Sequence, residues 1–196
     1  MRVIAGQLRG RRIEAPEQGT TRPTTDRVRE SVFSSLYSRL GSFEGLHVLD
    51  AFAGSGALGI EALSRGAASC LFVERDMRAY AALEGNVRAL GLEPARARLC
   101  RADVLQLPVA RLGLAAPLEL VLLDPPYATP VDDVLAFLSR LAAADRLAEG
   151  AVISYEHAPD DAAALVACFE RDATFAVRDV RAYGRVGVAY MTRADV

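Results

Sequence analysis

The chain has 196 residues, 52% hydrophobic and 24% charged, with a net charge of −2, which suits a soluble globular protein with one substantial core. No apolar run approaches the roughly 18 residues that cross a bilayer, the opening MRVIAGQLRGRR lacks the apolar stretch of a secretion signal, and three scattered cysteines (Cys70, Cys100, Cys168) without a C-x-x-C pair speak against a disulfide framework or a zinc site, so a cytoplasmic protein with no membrane contact and no metal is expected. The charge is unevenly spread: residues 1–40 carry eight Arg against four acids, residues 41–196 fifteen Arg against twenty-one acids, and the chain has no Lys, so a polyanion is expected to dock on the N-terminal side.

Residues 1–15 alternate loosely around QLRG, as in a short hairpin. PEQGTTRPTT (16–25) reads as a loop, and Thr24 or Thr25 is placed to cap a helix with apolar positions at Val28, Val32, Phe33, Leu36, Tyr37 and Leu40, close to a 3.6-residue period. From residue 46 the pattern is regular. LHVLDAF, SCLFVE, ARLCRAD, LELVLLD and AVISYEH read as strands, with helical segments over 57–65, 76–90 and 131–144 and a looser stretch at 104–116. Strands alternating with helices predict crossover connections and a parallel sheet. TFAVRDVRAYGRVGVAYMT predicts a closing antiparallel hairpin around Gly184. The expected class is α/β, a doubly wound, mostly parallel seven-stranded sheet with an antiparallel C-terminal hairpin. Residues 1–40 form an N-terminal hairpin and helix extension packed on the main domain, 41–196.

Four of the parallel strands end in residues capable of chemistry, at the edge where a doubly wound sheet binds ligands. After the first strand, Gly54, Gly56 and Gly59 match G-x-G-x-x-G ahead of a helix, whose N-terminus presents free N–H groups. Glu74 ends the second strand, twenty residues after Gly54, where an acid accepts hydrogen bonds from a ribose diol. Asp103 follows the third strand, placed to meet a purine edge. This predicts an adenosine-type cofactor. Asp50, four residues before the first glycine, would repel a pyrophosphate but suits the ammonium of a methionine moiety, directly or through water, which favours S-adenosylmethionine over a dinucleotide.

The fourth strand ends in Asp124, Pro125, Pro126 and Tyr127. An exocyclic nucleobase amine is a poor nucleophile because its lone pair is delocalised into the ring. The Asp124 carboxylate and the Pro125 carbonyl can each accept one of its N–H groups and steer the nitrogen toward a sulfonium methyl. The prolines fix the carbonyl direction, and Tyr127 offers a face for stacking. His47 reads as a surface residue, and Glu156 and His157, at the end of the fifth strand, read as structural.

D-x-F-A-G-S-G with D-P-P-Y resembles the class I S-adenosylmethionine-dependent amino-methyltransferases of nucleic acids. RVIAGQLRGRRI, RPTTDRVRESVFSSL and LDAFAGSGALGIEALSRGA resemble the RsmD family, bacterial enzymes that methylate the exocyclic N2 of a guanine in 16S ribosomal RNA, and the match runs from Arg2 through Tyr127. The resemblance implies a Rossmann-like methyltransferase sheet in which Asp124, Pro125, Pro126 and Tyr127 hold the target base. It implies that Asp50, Phe52, Ala53, Gly54, Ser55, Gly56, Glu74, Arg75, Asp103 and Val104 hold the cofactor. Residues 24–30 would close over its methionine end, with Thr24 in contact. Arg2, Arg9, Arg11, Arg12, Arg22, Arg27 and Arg29 would meet RNA, within a small-subunit ribonucleoprotein and from a monomer. The same motifs leave open an adenine-N6 methyltransferase acting on DNA, and more remotely an NAD-dependent oxidoreductase or a non-catalytic RNA-binding module.

Overall fold

The computed structural model describes residues 1–15 and 26–194. In chain order the elements are α1 (Asp26–Leu40), β1 (His47–Asp50), α2 (Ala57–Ser64), β2 (Ser69–Glu74), α3 (Met77–Ala89), β3 (Ala97–Arg101), β4 (Leu118–Leu123), α4 (Val131–Ala143), β5 (Leu147–His157), α5 (Ala162–Phe169), β6 (Phe175–Tyr183) and β7 (Val186–Arg193). They build one seven-stranded sheet in the order β3-β2-β1-β4-β5-β7-β6. The first five strands pair in parallel, and β7 runs antiparallel to both β5 and β6. The order reverses between β1 and β4, the crevice at which open α/β sheets take ligands.

Alternation along each buried strand sorts side chains into two core layers. Val48, Phe72, Leu120, Leu122, Val152 and Val188 point to the layer shared with α1, α2 and α3. Leu49, Leu71, Val73, Val121, Leu123, Ile153 and Tyr155 point to the layer shared with α4 and α5. The first layer also holds Val3 and Ile13, so the N-terminal arm and the sheet share one core.

The hairpin expected over 1–15 is a single antiparallel bridge between Arg2 and Arg12, flanked by Val3 N–H to the Arg11 carbonyl (2.9 Å) and Ile13 N–H to the Met1 carbonyl (3.0 Å). The arm is fixed on α2. The fully buried Glu61 carboxylate accepts the N–H groups of Ile4 (2.8 Å) and Ala5 (3.0 Å) and the Arg65 guanidinium (2.8 Å). Ser64 Oγ accepts Leu8 N–H at 2.9 Å. The arm passes so close that a Cβ on Gly6 (φ +82°) would lie 1.8 Å from the Ser64 carbonyl oxygen, so only glycine fits there.

One expectation is corrected, the looser stretch is resolved, and one helix is added. Tyr37, placed on the apolar stripe of α1, is 56% exposed, because the face that packs is the narrower one of Val32, Phe33 and Leu36. Segment 104–116 holds only a 3₁₀ turn at Val109–Leu112. Helix α5 was not anticipated: AAALVACF is eight residues long, and its buried Leu165, Cys168 and Phe169 are too few to print a period.

Candidate active site

The chemistry gathers at the C-terminal ends of β1, β2, β4 and β5. Beyond β1 the chain is held by Ala51 N–H on the Leu122 carbonyl and Ala53 N–H on the Val73 carbonyl, both at 3.0 Å, and turns through Gly54–Gly56 into α2. Glu74 organises this turn. One of its oxygens accepts Gly54 N–H at 2.7 Å and the other accepts Asp76 N–H at 2.7 Å, which leaves a second lone pair on each for a ligand hydroxyl. The third glycine has a packing role, since a Cβ on Gly59 would sit 2.3 Å from Phe72 and 2.7 Å from the Cys70 sulfur. That close approach brings Gly59 N–H to 2.9 Å from Asp50 Oδ2.

Asp50 is 1% exposed. Its second oxygen, Oδ1, is buried and has no hydrogen-bond partner among the described residues. Burial pushes its carboxyl up to about 7, the nearby Asp124 and Glu74 charges add to the rise, and the Gly59 N–H opposes it. A buried, unsatisfied acceptor is costly. A cationic ligand group here, directly or through a water, would satisfy the orphaned oxygen and favour the ionised form. The donor set therefore fits the methionine end of S-adenosylmethionine.

The rest of the expected cofactor set lines the same edge. Phe52 packs partly buried against the α4–α5 layer, Ala53 and Val104 are buried, and Arg75 pairs with Asp103 at 3.3 Å on the surface. Asp103 also accepts Leu105 N–H at 3.0 Å, which fixes the turn after β3. Ser55 is buried and its carbonyl accepts the Asn86 side-chain amide at 2.9 Å. Asn86 was not singled out in the sequence. It exchanges two 2.9 Å hydrogen bonds with the Glu14 backbone, so a single buried amide ties the N-terminal arm to the glycine turn. The available signal was a polar residue on the apolar stripe of α3, beside Leu83 and Val87.

Asp124 follows β4 directly and shares the face of Asp50 and Leu122 by strand alternation. It is half-buried, and burial pushes its carboxyl up to about 7. Pro125 is buried, Pro126 exposed and Tyr127 50% exposed, and the corner is closed by Thr129 N–H on the Pro126 carbonyl at 2.8 Å. Pro125, Pro126 and Tyr127 line a groove with Glu156 and His157. His157 is buried and its Nδ1 lies 2.8 Å from the Ala158 carbonyl.

Of the arginines expected to meet RNA, Arg2, Arg9, Arg12 and Arg27 are exposed. Arg11 is exposed and also donates to the Ala89 carbonyl at 2.7 Å. Arg29 is a correction: it is fully buried, with its guanidinium on the Arg2 carbonyl and on Asp26, so it clamps the arm to α1 and cannot face a phosphate. Arg22 and Thr24 lie outside the described residues.

Comparison with known proteins bears on the family and the fold. The family model described as Conserved hypothetical protein 95 matches residues 1–191. YlbH of Bacillus subtilis (strain 168), described as a candidate rRNA methyltransferase, is 42% identical over 127 residues, covering 65% of this chain and 67% of that one. Ribosomal RNA small subunit methyltransferase D of Escherichia coli (strain K12) is 39% identical over 127 residues, covering 65% and 60%. The solved structure of yhhF, a methyltransferase candidate from Escherichia coli, superposes with a TM-score of 0.74 at 29% identity, covering 98% of this chain and 97% of that one. The chain belongs to the family described as Conserved hypothetical protein 95, that of the RsmD ribosomal RNA methyltransferases.

Proposed function

We propose that this chain transfers the methyl group of S-adenosylmethionine to the exocyclic N2 amine of a guanine in 16S ribosomal RNA. In this reading it acts in the cytoplasm as a single copy, on RNA within a small-subunit ribonucleoprotein. The observation that carries the reading is that Asp50 and Asp124 fall on one sheet face by strand alternation, at neighbouring strand ends either side of the switch point. One carboxylate is placed for the cofactor's ammonium and the other for the target amine. The names of the relatives supply the nucleic acid.

When bound, S-adenosylmethionine supplies an electrophilic methyl on a sulfonium. Everything else falls to the chain. Asp50 fixes the ammonium, Glu74 meets the ribose, and the Gly54–Gly56 turn lets the ligand approach the backbone. Asp124 and the Pro125 carbonyl each accept one N–H of the amine, which holds its lone pair toward the methyl and out of conjugation with the ring. As the new N–C bond forms and the methyl's bond to sulfur breaks, leaving its electron pair on sulfur, the nitrogen would gain positive charge and shed a proton, which Asp124 is placed to accept. Tyr127 stacks on a base that has left its own stack, so an unpaired guanine is the expected target.

Calorimetry tests the cofactor assignment. S-adenosylmethionine and S-adenosylhomocysteine should bind, and NAD much more weakly; NAD as the tighter ligand would end the methyltransferase reading.

The exposed N-terminal arginines are assigned to RNA, because the rest of the chain is acidic and would repel it. Replacing Arg2, Arg9 and Arg12 with Gln should weaken RNA binding and lower the slope of log affinity against log salt by roughly two, since each of the three lost phosphate contacts on single-stranded RNA removes about 0.7 of a released counterion. S-adenosylmethionine affinity should stay within about threefold. An unchanged slope between roughly 50 and 200 mM salt would move the docking surface elsewhere, with Arg27 and the β6–β7 hairpin the next places to look.

A further inference from the structure

The D-P-P-Y corner does not by itself choose between purines. Guanine N2 and adenine N6 both present an amine with two N–H groups. They differ at the ring nitrogen next to that amine: guanine N1 carries a hydrogen, whereas adenine N1 carries a lone pair. A residue that tells them apart must therefore be a fixed acceptor beside Asp124.

Glu156 occupies that position. β4 and β5 pair in parallel as far as Leu123 opposite Tyr155, so Asp124 and Glu156 are the residues that directly follow the last paired positions of two neighbouring strands. They also share a face. Asp124 follows Leu122 by two residues, and Glu156 pairs with Val188; both Leu122 and Val188 belong to the α1–α3 layer. That is the face on which Asp50 holds its orphaned oxygen. Glu156 is only 8% exposed, which makes it a stiffly held group. A carboxylate offers about four acceptor positions, so one carboxylate can accept both from the chain and from a ligand N–H. His157 is the wrong candidate: it points to the opposite face, with its ring against Gly187.

We propose that Glu156 accepts the N1–H of the target guanine beside the amine held by Asp124 and Pro125, and that this contact selects guanine over adenine. The proposal rests on the methyltransferase reading above. The carboxylate attracts guanine N1–H and repels the lone pair of a base that has no hydrogen there, so a single residue supplies both the favourable and the unfavourable term.

The test uses a ribosomal RNA substrate carrying guanine, 2-aminopurine or 2,6-diaminopurine at the modified position. The two analogues keep the 2-amino group but have a lone pair at N1. Wild-type protein should prefer guanine by roughly 10- to 100-fold in kcat/KM, the worth of one good base contact. In Glu156→Ala that preference should fall to within about threefold. Glu156→Gln can turn an N–H toward the lone pair, so it should narrow or reverse the preference, and it decides the matter if the alanine variant does not fold. S-adenosylmethionine affinity within about threefold of wild type shows that each variant is intact. Wild type that accepts all three bases equally, or an intact variant that keeps the full preference for guanine, would overturn the assignment of Glu156. Wild type that methylates no guanine at all would instead remove the functional reading beneath it.

Discussion

Asp124→Ala is expected to lose methyl transfer by a factor of about 100 to 1,000 while S-adenosylmethionine affinity stays nearly unchanged. Asp124 is assigned to the target amine alone, so its removal falls on the chemical step, and a factor of this size is what one positioned electrostatic group contributes. Single-turnover transfer beside calorimetry separates the two effects. A variant keeping more than about a tenth of wild-type turnover would contradict the role. The wild-type pH profile gives a second check. Burial holds Asp124 protonated up to about 7, and a protonated carboxyl points an O–H at the amine where an acceptor is needed. Transfer should therefore be weak below about pH 7 and rise through it, with the neighbouring Asp50 titrating over the same range.

Asp50→Asn should give a protein that is more stable and binds its cofactor poorly. The folded-state value near 7 lies above the ordinary 3.8, so the folded chain binds this proton more tightly than the unfolded chain. For such a group stability is greatest below the unfolded value, declines as pH rises from about 4 to about 7, and is level above that. Three pKa units correspond to about 4 kcal/mol. Asparagine removes this cost and keeps an oxygen for Gly59 N–H. A rise in Tm of several degrees is expected at pH 8, shrinking as pH falls toward 4. S-adenosylmethionine affinity should fall at least tenfold, because the anionic partner of the ammonium is gone. An Asn variant that is no more stable at pH 8, or that binds the cofactor as wild type does, would show that Asp50 is a structural cap on α2 and not a ligand for the cofactor. Its buried oxygen without a partner among the described residues is a cost of the kind a bound ligand would relieve.

Where the structure matched the sequence, short-range patterns were enough. SCLFVE is β2 residue for residue, and the glycine spacing, Glu74 and D-P-P-Y each sit at a strand end because strand, turn and helix follow one another locally. What the sequence did not reveal depends on partners far along the chain. Glu61 and Asn86 are polar residues on apolar helix faces whose backbone partners lie 57 and 72 residues away. Arg29 reads as one of a run of surface arginines, and only the fold brings the Arg2 carbonyl to it. Glu156 could be seen at the end of β5, but its place beside Asp124 follows from the β4–β5 register, which no local pattern carries.

The central claim is best tested by one measurement: transfer of a radiolabelled methyl from S-adenosylmethionine into small ribosomal subunits from cells lacking the protein, with genomic DNA as competitor, followed by mass mapping of the labelled nucleoside. The result predicted is a single N2-methylguanosine at one position of 16S ribosomal RNA. Label in N6-methyladenine of the DNA, or no label in either nucleic acid, would contradict it.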